Sequence, residues 1–217
     1  MTASSNPQLQ VYQGQFGEYT ITKGDRLGVI IYRAGLVIAA ASFAIATNLL
    51  FARGESILPW LTPLFALFSL GLGISLLTIH IYLVILHRFL QVFWLIGTVA
   101  AVAIAWQIDE PLALYVYNHP ITLLGIGFIF AALTGIYFKE AFCFNRLETK
   151  FLTPLVPFLL LGHLMGFLPL AVEQVLLAIW TIFFTIFAFR KVIQPIVPDI
   201  GDKSVFAYLK QQRSANA

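Results

Sequence analysis

"ILPWLTPLFALFSLGLGISLLTIHIYLVILHRFLQVFWLIGTVAAVAIAW", residues 57–106, carries His80, His87 and Arg88 as its only basic side chains and no acid. As one helix it would run about 75 Å, at about 1.5 Å per residue, against a bilayer hydrocarbon core of about 30 Å. It must fold back on itself. The polar doublet His87-Arg88 marks the turn, giving one helix from about Leu61 and another from Phe89 to Trp106. No glycine or proline supports that break.

The rest of the chain agrees with a lipid-solvated fold. Hydrophobic residues make up 59% of the 217 and charged residues 11%, where a soluble domain carries about 25% charged. Too few polar side chains exist to cover a water-facing surface. Leu27 to Phe51 is another span, with Arg33 near its start. A fourth runs from about Ile121 to Phe138. Phe151 to Phe189 is again too long for one crossing, and "GFLPLAVEQ", residues 166–174, supplies turn residues that divide it near Leu168. Pro154 and Pro157 then fall near the first turn of the fifth span, where proline is tolerated.

The expected fold is therefore an all-α membrane protein, a six-transmembrane-helix bundle with both termini on one side. Its parts are a polar N-terminal arm (1–26), a transmembrane domain (27–189) and a C-terminal tail (190–217). The arm shows no cleavable leader pattern. On this plan 12 of the 13 basic residues lie on the inner, cytoplasmic or stromal, side and only Arg53 lies outside. Basic residues are retained on the cytoplasmic face, so the count tests the topology. Five or seven spans would scatter them. Trp60 and Trp106 fall at the outer ends, and "PLALYVYNHP", residues 111–120, is too short to span.

Helices in lipid need small residues to approach closely. Gly97, Ala101 and Ala105 form such a stripe on the third span, Gly127, Ala131 and Gly135 on the fourth, and Gly162 and Gly166 on the fifth.

Groups able to carry chemistry are sparse. His80 and His87, read as one helix face, lie too far apart to grip one ion. His80 or His163 remains open as a single ligand to a pigment magnesium or a haem, against the plainer reading of a hydrogen bond to a neighbouring helix. No cofactor is otherwise expected, and no catalytic or metal-binding motif is present. Arg33 is expected to snorkel to the inner headgroups, and Glu173 is the only acid near an apolar stretch, at the opposite face. The single cysteine, Cys143, is expected to pack. No charge pair inside the membrane is evident.

Three segments collect on the inner face. Residues 11–22 have strand-like composition. In the tail, Asp202 or Ser204 caps a short helix with Val205, Phe206 and Leu209 on one edge. "GIYFKEAFCFNRLETKF", residues 135–151, joins the fourth and fifth spans. Its Phe144, Leu147 and Phe151 spacing suits a short interfacial helix. Its Lys139, Glu140, Phe144, Arg146, Glu148 and Lys150 form a candidate docking surface, or only the charged turn that stays inside.

"IYRAGL" (31–36), "FKEAFCFNRLETKF" (138–151) and "GQFGEYTIT" (14–22) together resemble a family of uncharacterised integral membrane proteins of cyanobacteria and plastids. The resemblance covers about residue 11 to the end of the sixth span. It implies a thylakoid or cyanobacterial plasma membrane, and it transfers no active site. The resulting expectation is a non-enzymatic protein acting through contacts with another membrane protein complex, as an assembly or accessory factor of a photosynthetic pigment–protein complex. Its other partners are membrane lipids, and nucleic acid is not among them. The alternative is a small transporter or channel using Arg33, His80, His163 and Glu173 as a polar path.

Overall fold

The chain enters the bundle through a short hairpin, β1 (Val11–Gly14) and β2 (Gly17–Thr20), paired antiparallel from Val11 opposite Thr20 to Gly14 opposite Gly17. The computed structural model describes residues 10–215, so 1–9 of the expected arm and 216–217 of the tail lie outside it. Thr22 caps α1 (Lys23–Arg53) through a reciprocal box: its hydroxyl accepts from the Asp25 amide, and the Asp25 carboxylate accepts from the Thr22 amide at 2.7 Å. A single turn of tighter helix, Gly54–Ile57, reverses the chain into α2 (Leu58–Thr78). There follow α3 (Val84–Gln107), the short α4 (Leu112–Asn118), α5 (Leu123–Phe144), α6 (Leu147–Leu164) and α7 (Leu170–Ile193). The tail adds α8 (Val197–Ile200) and α9 (Lys203–Ala215).

Four apolar stretches are long enough to cross a membrane: Lys23–Thr78, Val84–Gln107, Pro120–Phe144 and Leu170–Ile193. The first contains both α1 and α2. The six long helices pack in the order α1, α2, α3, α5, α6, α7, and α7 closes the ring against α1. Each neighbour runs antiparallel to the last. Phe43, Phe68, Phe130, Tyr137, Trp180 and Phe184 fill the centre, with Phe43 and Trp180 ring centroids 4.6 Å apart and the Trp180 indole donating to the Tyr137 hydroxyl at 3.2 Å. Buried tryptophan needs that partner for its N–H.

The long apolar run turns earlier than its charges predict. The break is Ile79–Leu83, so His80 lies in a loop rather than on a helix face shared with His87. Ile79 and Ile81 are buried and hold this loop against the bundle. His87 and Gln91 instead serve the helix before them. Their side-chain nitrogens meet the Leu76 carbonyl at 2.6 and 3.2 Å, one of the carbonyls orphaned at the end of α2.

The close contacts also differ from the predicted stripes. Gly35 and Gly71 meet backbone to backbone: a Cβ on Gly35 would stand 2.5 Å from the Gly71 carbonyl, and one on Gly71 2.6 Å from that of Gly35. The Ser75 hydroxyl donates to the Tyr32 carbonyl one turn away, at 2.8 Å. Gly97 and Ala101 are buried as expected, Gly97 against Ile129. Gly135 faces Leu90. Gly127 and Ala131 do not pack, because the buried edge of α5 is Ile126, Ile129, Leu133 and Ile136, and Ala131 is exposed. Gly162 and Gly166 are no helix-pairing motif. They end α6: Gly166 adopts φ 70°, its amide donates to the His163 carbonyl at 3.0 Å and the Phe167 amide to Gly162 at 3.2 Å.

Residues 135–151 form no separate interfacial helix. α5 runs to Phe144, Asn145 takes the left-handed conformation at φ 52°, and α6 begins at Leu147. Pro154 and Pro157 consequently sit inside α6, not in its first turn. Cys143 is exposed rather than packed.

The arm and the tail form one unit. The Gln15 amide donates to Asp202 at 2.7 Å, the Phe16 amide to Ser204 at 3.0 Å, and Lys203 to Asp25 at 2.8 Å. Gly14 lets the tail approach closely, since a Cβ would lie 2.2 Å from the Asp202 carboxylate and displace it. Phe16 stacks on Tyr208 at 4.0 Å.

Candidate functional site

The two ends of the bundle place their polar groups differently. At the end carrying the hairpin and tail, Arg33 does not snorkel. Its side chain is 9% exposed, and it donates to Asp199 Oδ2 from Nε and Nη2 at 2.9 and 2.6 Å. It also donates to the carbonyls of Gln194 and Pro195 at 2.6 and 2.9 Å. The acid arrives because Pro195 and α8 fold the chain back beneath α1. Lys191, fully buried in the last turn of α7, lies between Asp199 and Glu140, 2.8 Å from the latter. Glu140 also accepts from Lys139 at 2.8 Å and from the Tyr32 hydroxyl at 3.2 Å. A second group joins Glu148 to Arg190 at 2.8 Å and to Arg146 at 3.5 Å, and Arg146 also reaches the Gln194 side chain.

Charge pairs thus exist at this end of the helices, contrary to expectation. The expected docking surface is folded inward. Lys139, Glu140, Arg146 and Glu148 are buried, Phe144 is half-buried beneath the Lys191 ammonium at 4.2 Å, and of the six only Lys150 is exposed. A five-donor guanidinium and two ammoniums in an apolar bundle need acceptors on every side. Asp199 was the residue most obscured in the sequence. The signal was there: a cation about three turns inside α1 needs an acid at the same depth, and the "PIVPDIGDK" segment (195–203) is where one re-enters.

At the opposite end α4 and the facing ends of α1, α2, α5, α6 and α7 line a half-open cavity of about 820 Å³. Phe43, Phe65, Phe130 and Trp180 make its apolar floor, and His163, Glu173, Gln174 and Glu55 stand at its polar end. The short turn that joins α6 to α7 brings His163 and Glu173 into direct contact, Nδ1 to Oε1 at 2.7 Å. His163 Nε2 lies 3.1 Å from the Tyr117 carbonyl, and the Tyr117 hydroxyl donates to Glu173 Oε2 at 3.3 Å. Burial, and then the Glu173 carboxylate, push the Tyr117 phenol above its ordinary value. The two histidines named as possible ligands therefore differ. His163 is held by hydrogen bonds, whereas His80 packs near Gly28 in the loop, where burial lowers its basicity. Among the described residues, no group of three or more His, Cys, Asp or Glu side chains could hold a metal ion.

Arg33, His80, His163 and Glu173 do not form one path. The closely packed centre, with Leu36, Leu72, Leu133 and Phe184 each fully buried, separates the charged end from the cavity.

A ring of long apolar helices with charge confined to the ends defines an integral membrane protein. Residues 74–208 match the model of a family described as uncharacterized integral membrane protein (DUF2301), and the chain belongs to that family. No curated protein and no solved structure matches it.

Proposed function

We propose that this is a six-span protein, with both ends of the described chain on the cytoplasmic side, that binds a lipid-soluble molecule in the cavity at its outer end. Three features support the span count. α6 has only 18 residues and two interior prolines, but at about 1.5 Å per residue it reaches about 27 Å. It lies antiparallel between α5 and α7. Its Glu148 meets Arg190 near one end of α7, and its His163 meets Glu173 near the other. Orientation follows from the basic residues gathered at the hairpin-and-tail end.

The cavity carries the functional reading. Its volume is within the range of small-molecule sites, about 300–1,000 Å³, and it joins an apolar aromatic body to a few convergent polar groups. Among the described residues that line it, no serine, cysteine or lysine nucleophile stands beside the His163–Glu173 pair, so the proposal is binding without chemistry of its own. The assembly-factor reading keeps less support, since most of the inner segment it drew on is buried, and the channel reading finds no continuous polar route among the described residues. Residence in a thylakoid or cyanobacterial plasma membrane rests on the motif resemblance alone.

The experiment uses a protein whose Trp60, Trp94 and Trp106 are changed to phenylalanine, leaving Trp180 as the fluorophore, in nanodiscs. A spin-labelled long-chain probe is expected to quench Trp180 saturably. Ala113→Phe, which fills the cavity, should abolish the saturable part. Quenching that only grows linearly with probe fraction, in both proteins, would discard the proposal.

A further inference from the structure

The polar end of the cavity has a chemistry of its own, and it constrains what the occupant's head can be. Both ring nitrogens of His163 face acceptors, the Glu173 carboxylate at 2.7 Å and the Tyr117 carbonyl at 3.1 Å. Both nitrogens are thus engaged within the protein, and neither is left to pair with an anionic ligand. The His163 and Glu173 side chains are 17% and 11% exposed, so little water screens them. Glu55 also lines the cavity, and neither lysine nor arginine does.

We propose that this end recognises an uncharged, hydrogen-bonding head, a hydroxyl or carbonyl on a long apolar tail, and rejects carboxylate and phosphate heads. The inference rests on the cavity being a binding site. An anionic head placed there would lose its hydration beside Glu55 and Glu173 with no cation to offset the loss. An uncharged head needs only a partner for one or two polar atoms. Two are at hand. The Gln174 amide is exposed and has no hydrogen-bond partner among the described residues. The Tyr117 hydroxyl sits at 3.3 Å from Glu173, a long contact that a ligand oxygen can replace. The Tyr117 and His163 rings, tilted by 31° with centroids 4.7 Å apart, wall this end and keep a head near those donors. The tail then lies over Phe43, Phe65 and Trp180.

The test compares two doxyl-labelled probes of equal chain length, a long-chain alcohol and the corresponding carboxylate, by Trp180 quenching at pH 8 in neutral-lipid nanodiscs. The alcohol should reach half-quenching at roughly tenfold lower mole fraction, since the desolvated anion finds no counter-charge. In Glu173→Gln and, separately, Glu55→Gln, carboxylate binding should strengthen and the gap between the two probes should narrow. Equal saturable quenching by both probes, or preference for the carboxylate, would overturn the head assignment and leave the cavity reading standing. Absence of saturable quenching by either probe would remove both. The comparison on the single-tryptophan protein decides the matter even if a variant fails to fold.

Discussion

The two ends of the bundle solve the same problem, polar groups beside lipid, in opposite ways. At the tail end Arg33, Lys139 and Lys191 are locked between Glu140 and Asp199, with backbone carbonyls from the chain that follows α7 completing the set. Every contact is internal, and the acid that completes it comes from outside the spans. At the cavity end His163, Glu173 and Tyr117 also contact one another, but beside an open volume. The lesson is that burial of charge alone does not mark a functional site. A network whose partners are all internal holds structure together, whereas polar groups with free space and exchangeable contacts can receive a ligand.

The sharpest way to break this contrast is to remove one acid from each end. Asp199→Ala leaves Arg33 and Lys191 facing each other without their shared carboxylate. Removing one partner of a buried pair costs about 3–5 kcal/mol, so the variant should melt far below the parent in detergent or fail to accumulate as a monodisperse species. Glu173→Gln keeps the shape of the contacts and should cost about 1 kcal/mol. Equal losses in thermal melts followed by circular dichroism would erase the distinction drawn between the ends.

Packing gives the next largest effect. Gly71→Ala places a methyl 2.6 Å from the Gly35 carbonyl and 2.8 Å from the Ala39 amide, so α1 and α2 must separate. Overpacking of this kind costs about 1–3 kcal/mol. Gly127→Ala, on the stripe that the sequence favoured, meets nothing closer than 4.0 Å and should change stability by under about 0.5 kcal/mol. The same melts compare the pair.

The smallest effect belongs to the hairpin and tail. Hydrogen bonds from the Ser204 hydroxyl and the Gln15 amide hold the Asp202 carboxyl below its ordinary 3.8. A carboxyl lowered in the fold adds stability above that ordinary value and loses it as pH falls through the lowered one. Hydrogen exchange at Gln15 and Phe16 should therefore quicken in that acidic window, while amides inside α1 and α7 stay protected. Exchange independent of pH, after correction for the intrinsic rate, would mean that the aspartate is not what fastens the tail.

Much of the architecture was legible from particular residues. Gly166 and Pro169 announced the α6–α7 turn, the glycine by its left-handed backbone and the proline by opening the next helix. The strand-like "VYQG" and "GEYT" stretches (11–14 and 17–20) announced the hairpin. The α2–α3 turn was missed because Ile79–Leu83 contains neither glycine nor proline. Its polar markers, His87 and Gln91, sit a turn further on as partners of the Leu76 carbonyl. The inward face of "KEAFCFNRLE" (139–148) was missed because a charge run reads as solvated until its counter-ions are known.

The sequence by itself determined that this chain is solvated by lipid, that its long apolar runs must reverse, and that its cations gather beyond the ends of those runs. Hydropathy and length suffice for that, because they act residue by residue. Which acid meets Arg33, which glycines touch, and that His163 and Glu173 meet beside a cavity were decided only by the tertiary structure. Those contacts join residues as many as 166 positions apart, and spacing along a chain carries no record of which helix faces which.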